Sequence, residues 1–217
     1  MTTPEVELRS AWRQIAGGGH DSLVDGVLAR HREPHRRYHT LTHVMWVLRH
    51  VGALVAAGEP TTDVAAVQLA AMWHDVVYNA AAADNEERSA ELAGHAAAEL
   101  GWMPPRRQLV ERLVLATAGH HPTDADEAML VDADLAILGA STQDYAAYVA
   151  GVRSEYAHVN DDAWRIGRTA MLSGFLAQPY LFTTVTMRTQ REARARANIT
   201  AELASLAQQQ QPPQLRR

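Results

Sequence analysis

Histidine and aspartate are the residues of this sequence best equipped for chemistry, and they meet twice, as His20-Asp21 and His74-Asp75. The first pair follows Gly17 to Gly19, where Asp21 or Ser22 suits a helix N-cap, its oxygen accepting an unpaired first-turn N–H. The second interrupts AAVQLAAMWHDVVY, an otherwise apolar helical stretch. A carboxylate buried there needs a cation or a metal beside it. Upstream, PHRRYHTLTHVMWVL sets His39 and His43 four residues apart. A helix beginning near Thr40 turns His43 from its first turn toward the core. Downstream, MLVDADLAILG puts Asp132 and Asp134 in another apolar helix, at the same electrostatic cost. Two imidazoles and two carboxylates, His43, His74, Asp75 and Asp134, form a donor set for a divalent ion such as Mn, Fe, Co, Ni, Zn or Mg.

Further residues could serve the same site, each with a plainer role beside it. Arg36 and Arg37 precede the His43 helix and could hold phosphate oxygens through their planar forks, or form a solvated surface pair. His39 could bind phosphate or close a turn. His120 and His121 end LVERLVLATAGHH just before the Asp134 helix, where a histidine also complements the helix dipole. Glu86 could contact substrate, although acids such as Glu86 and Glu87 are favoured in any first helical turn. The remaining histidines and the five tryptophans read as surface and core residues.

Ten helices are expected to carry these groups, over about 5–16, 21–31, 40–57, 63–78, 85–100, 105–118, 126–138, 142–159, 161–177 and 189–208. Thr62 or Asp63 can cap the fourth, Asp84 with Glu87 fits a capping box, and Pro104 and Pro105 suit a first turn. Strand alternation is missing, alanine is abundant and phenylalanine occurs only twice, which predicts an all-α fold. With no Pro/Gly/Ser linker and no repeat, the expectation is one helical bundle domain over 1–207 and a disordered tail over 208–217.

Composition narrows the chemistry. Absence of cysteine removes disulfides, thiolate nucleophiles and Cys-based zinc sites. All 20 basic residues are arginine, so a lysine Schiff base and a Walker-type loop are excluded and any phosphate would meet arginine. A net charge of −5 without a basic stripe argues against nucleic acid and anionic membranes as partners. No apolar run approaches the ~18 residues of a span, and the start MTTPEVELRSAWRQ is charged, so a cytoplasmic location is expected.

The order of these motifs resembles the HD-domain superfamily of metal-dependent phosphohydrolases. His43 is followed after 30 residues by His74-Asp75 and after 58 more by Asp134. YHTLTH at 38–43, WHDVVY at 73–78, DNEERSA at 84–90, DADLAILG at 132–139 and ARANITAEL at 195–203 look closest to a bacterial subgroup of stand-alone HD phosphohydrolases, over about residues 7–206. The resemblance implies an HD-type helical bundle with His43, His74, Asp75 and Asp134 as metal ligands. Asp134 is taken before Asp132 because the family's ligand follows the alanine. It further implies a metal-dependent enzyme hydrolysing a phosphoester or phosphoanhydride of a small phosphorylated metabolite such as a nucleotide, as a possible homodimer. In that scheme Asp75, Arg36, Arg37 and His120 act in catalysis, and Arg36, Arg37, His39 and Glu86 bind substrate. HDVVYNA lacks the Gly and Lys that follow the HD pair in cyclic-dinucleotide phosphodiesterases, and the Glu-Asp couple of alarmone hydrolases, which argues against both substrates. The alternatives are an HD-type mixed-valent di-iron oxygenase and a regulatory ligand-binding protein with a degenerate site.

Overall fold

The segment Val64–Trp73 offers almost no polar face, and a helix that is apolar all round must be enclosed by others. In the computed structural model, which describes residues 3–209, this segment is α4, and it packs against four further helices. These are α1 (Pro4–Ala16), α3 (Leu41–Ala56), α5 (Asn85–Glu99) and α6 (Pro104–Gly119). With α2 (Asp21–Arg30) and α7 (Ala125–Leu135) they account for the first of two compact units, the chain dividing after Asp134. The second unit holds a 3-10 turn at Ala136–Gly139, α8 (Thr142–Glu155), α9 (Asp161–Ala177) and α10 (Val185–Gln208). The described residues contain no strand, so the protein is all-α, and none of their helices is long and apolar enough to cross a membrane.

Small side chains and charged clamps set the packing in the first unit. Ala90, Ala93, Gly94 and Ala97 line the buried face of α5. A Cβ added at Gly94 would fall on the Glu111 carboxylate of α6. Asp63 caps α4 by accepting from Ala66 N and is gripped by Arg106 of α6 at 2.5 and 2.8 Å. Asp126 at the start of α7 accepts from Thr61 Oγ1 and Thr62 N, tying the loop before α4 to α7.

Within the second unit, Arg168 of α9 and Glu202 of α10 pair at 2.8 Å while both are buried, and Tyr145 donates to the same carboxylate. Asn198 donates to the carbonyls of Leu138 and Ala140, and Arg191 to those of Ala136 and Gly139. Gly139 is required there, since its Cβ would stand 2.6 Å from Arg191 Cβ and 2.9 Å from Arg191 O.

Several expected boundaries move, for identifiable reasons. The helix expected over 63–78 stops at Trp73: His74 Nδ1 takes the Ala71 carbonyl, Val76 N turns back to Trp73 O, and Val77 N bonds Ser89 Oγ in place of Trp73 O. Asp84 stands at the N-cap of α5 without a side-chain cap bond, so the capping box with Glu87 is not formed. His20 rather than Asp21 or Ser22 occupies the N-cap of α2, in a left-handed conformation at φ 57°. After Glu155 the backbone tightens, Ala157 N bonding Ser154 O and Val159 N bonding Tyr156 O, so α8 ends there instead of at 159, and Arg153 donates to the carbonyls of Tyr156 and Val159 beyond it. Thr184 caps α10 through Met187 N, starting it four residues before 189. Most of the tail expected at 208–217 lies outside the described residues, while Gln208 still belongs to α10.

His31, at the end of α2, is 2% exposed and bonds Val27 O through Nδ1 at 2.9 Å. Burial pushes its pKa down to about 3, so the ring is neutral in the folded chain and protonated more readily in the unfolded one. Its contribution is complete above the unfolded value near 6.5 and is lost as pH falls from there toward 3. Denaturant unfolding of the parent should therefore lose about 2 kcal/mol more between pH 7 and pH 5 than that of His31→Leu. Equal losses in the two proteins would show that the ring titrates normally.

Candidate metal centre

Three helix ends and one turn bring the histidines and aspartates together. His43 lies in the first turn of α3, 3% exposed, and Asp134 is the last residue but one of α7. His74 is the C-cap of α4, and Asp75 follows it outside the helix. Successive residues of a helix point about 100° apart, whereas this turn lets both side chains reach one point. His74 Nε2 lies 3.0 Å from Asp75 Oδ2 and 3.1 Å from His43 Nε2. His43 Nε2 lies 3.2 Å from both Asp75 Oδ2 and Asp134 Oδ1, and His74 Nε2 is 3.6 Å from Asp134 Oδ1. His43, His74 and Asp75 each offer a donor atom within 4.8 Å of the others, so this buried group could hold a metal ion.

Side chains on four sides hold that turn. His74 Nδ1 donates to Ala71 O at 3.0 Å, which orients the ring and leaves the Nε2 lone pair facing His43. Arg36 donates to Asp75 O at 2.7 Å and Val76 O at 3.1 Å, and also to His39 O at 3.2 Å. Ser89 of α5 accepts from Val77 N and donates to Val77 O. His35 Nε2 reaches Tyr78 O at 2.9 Å, and Tyr78 stacks on His39 with ring centres 4.1 Å apart. His43 is held differently, since its Nδ1 is buried without a hydrogen-bond partner and its ring packs on Tyr38 at 4.8 Å.

Burial disfavours charge on all four groups, yet their mutual attraction prevails. Despite burial, Asp134 and Asp75 raise His43 above its ordinary value, and the Asp75 charge carries His74 well above it. Burial likewise opposes ionisation of Asp75 and Asp134, but His74 beside the first and His120 beside the second hold both carboxyls well below the usual range. These opposed shifts favour charged carboxylates and a proton in the histidine pair, whose Nε2 atoms lie 3.1 Å apart, and a divalent cation would take that proton's place with its release.

The other expected residues divide between this centre and other tasks. His120 caps α6 in a left-handed conformation, φ 52°, with Nε2 3.4 Å from Asp134 Oδ2. His121 is exposed. Half-buried His39 adjoins the His43 ring at 5.5 Å, and its charge helps to lower Asp75. Arg36 requires correction as a substrate and catalytic residue: its side chain is 0% exposed and its guanidinium is committed to Glu33 and three carbonyls. Arg37 is exposed, with Nη1 on Pro34 O and Arg36 O. Glu86 is half-buried in the first turn of α5, and that helix reaches the turn through Ser89 instead. Asp132 is fully buried two residues before Asp134, on a different face of α7. His20 and Asp21 are exposed at the start of α2. Ser89 and Asn85, which exchanges amide bonds with Asn79, escaped sequence reasoning; a lone serine among the buried alanines of α5 was the available signal.

No protein-family model, curated protein or solved structure matches the chain.

Elemental analysis of protein loaded with Mn, Co or Zn should find about one equivalent per chain, since His43, His74 and Asp75 offer one group of mutually close donor atoms. His74→Ala and Asp75→Ala should abolish uptake, and His20→Ala and Asp21→Ala should leave it unchanged. Calorimetry in buffers of different ionisation enthalpy should detect protons released on binding, with affinity falling as pH drops below neutral. Retention of metal by the His74 and Asp75 variants would move the centre elsewhere.

Proposed function

We propose that the protein is a metal-dependent phosphohydrolase in which His43, His74, Asp75 and Asp134 hold one divalent ion. The observation that carries this reading is the spacing of the donor atoms, 3.0 to 3.6 Å along the His–Asp edges. Ligands about 2.1 Å from a shared ion stand ~3.0 Å apart at right angles and ~3.4 Å apart in a tetrahedron. Two carboxylates and two neutral imidazoles also supply the charge and the mixed hardness that Mn, Fe, Co, Ni or Zn accept. When bound, such an ion supplies Lewis acidity, acidifying a water and withdrawing charge from a phosphoryl oxygen. The order of the motifs, with its likeness to HD phosphohydrolases, supports a phosphoester or phosphoanhydride as substrate.

The chain's own residues fit that task. His120 Nε2, on the outer oxygen of Asp134, can hold or deliver a proton beside the centre. His39 brings a second imidazole to the Asp75 side, and Arg37 is the exposed member of the arginine pair, with a planar fork suited to phosphate oxygens. His43 and His74 are themselves buried, which strengthens charge contacts at their rings relative to bulk water.

Metal-loaded protein screened against nucleoside mono-, di- and triphosphates and small phosphomonoesters should release phosphate or pyrophosphate. His120→Ala should retain the ion and lose about 10²- to 10⁴-fold in kcat, and Arg37→Ala should chiefly raise KM. Iron uptake with oxygen consumption and no phosphate release would favour the oxygenase reading. Metal binding without turnover of any phosphorylated compound would leave a binding protein.

A further inference from the structure

We propose that Arg36 is the positioning residue of the metal centre, setting metal affinity through the backbone of the ligand-bearing turn without touching ion or substrate. This inference rests on the reading of His43, His74, Asp75 and Asp134 as ligands. Asp75 and Val76 lie beyond the helix that stops at Trp73, so their carbonyls need donors from outside it. One guanidinium supplies them from a different element. Nη1 bonds the carbonyl of the ligand Asp75 itself, at 2.7 Å, and Nη2 bonds that of Val76 at 3.1 Å. The same Nη1 bonds His39 O at 3.2 Å, immediately before the helix that presents His43. A single rigid plane thus fixes the separation of the two chain segments whose side chains meet at 3.0 to 3.2 Å.

Charge is not the purpose of this residue. Glu33 sits 3.2 Å from Nε and offsets the cation, and the side chain is 0% exposed, closed to any phosphate. Shape is what lysine lacks. An ammonium is a point donor on a flexible stem, and it cannot span carbonyls from three residues in one plane. Displacing the Asp75 carbonyl swings its carboxylate away from His43 and His74, and loss of such supporting contacts commonly weakens metal binding by about 10- to 100-fold.

The test is a cobalt(II) titration of the full chain, read by the visible d–d bands, for the parent, Arg36→Lys, Arg36→Gln and the control Arg168→Lys. Arg168 is an equally buried arginine in the second unit whose partners are Glu202 and Tyr148. Both Arg36 variants should bind cobalt about 10- to 100-fold more weakly, with altered band intensity. The control, even if its unfolding midpoint falls as far, should keep the parent's spectrum and its affinity within about twofold. Folded Arg36 variants with the parent's affinity and spectrum would overturn the proposal. So would failure of both to fold, which would make Arg36 a residue of the fold alone. A parent that takes up no cobalt would instead defeat the metal-centre reading beneath it.

Discussion

The end of α4 is the constraint on which the rest of the centre depends. Backbone carbonyls that leave a helix must find donors, and here the donors are side chains from elsewhere. His74 satisfies Ala71, Arg36 satisfies Asp75 and Val76, Ser89 satisfies Val77 and His35 meets Tyr78. A helix continued to 78 would have directed His74 and Asp75 to different faces of α4. The abrupt stop instead gives one dipeptide two donor atoms at a common point, and the groups that hold the turn from elsewhere come from the segment that precedes His43 and from α5.

Electrostatics then explains why such a cluster tolerates burial. Two carboxylates and two imidazoles drawn out of water would each be costly alone, and each relieves another. The opposite shifts of His43 and His74 against Asp75 and Asp134 express this compensation. It also makes the cluster a good exchanger of protons for a divalent cation. His120, strained at positive φ, adds a fifth polar group to the same network through Asp134.

Motifs that drew attention together turn out to serve different ends. Of DADLAILG, Asp134 faces the histidines, whereas Leu138 and Gly139 serve α10, the glycine by making room for Arg191 and both by offering carbonyls. Of ARANITAEL, Asn198 and Glu202 hold the second unit together through carbonyls and a buried arginine. DNEERSA contributes Asn85 and Ser89, both braced against the segment after His74. These motifs are as much about holding shape as about chemistry.

Composition and periodicity alone determined the all-α class and the apolar surroundings that mark His43, His74, Asp75 and the pair Asp132 and Asp134, because burial of charge leaves a mark readable in one dimension. They also separated His74-Asp75 from the exposed His20-Asp21 by their flanking residues. What they could not determine was the turn that follows α4, since the groups that hold it stand 12 to 43 residues away in the chain. For the same reason Arg36 read as a phosphate ligand: an arginine beside a histidine motif looks alike whether its fork meets solvent or three buried carbonyls. Only the tertiary structure decides that, because a guanidinium's role is set by which acceptors surround it, and those acceptors are backbone atoms that every residue carries.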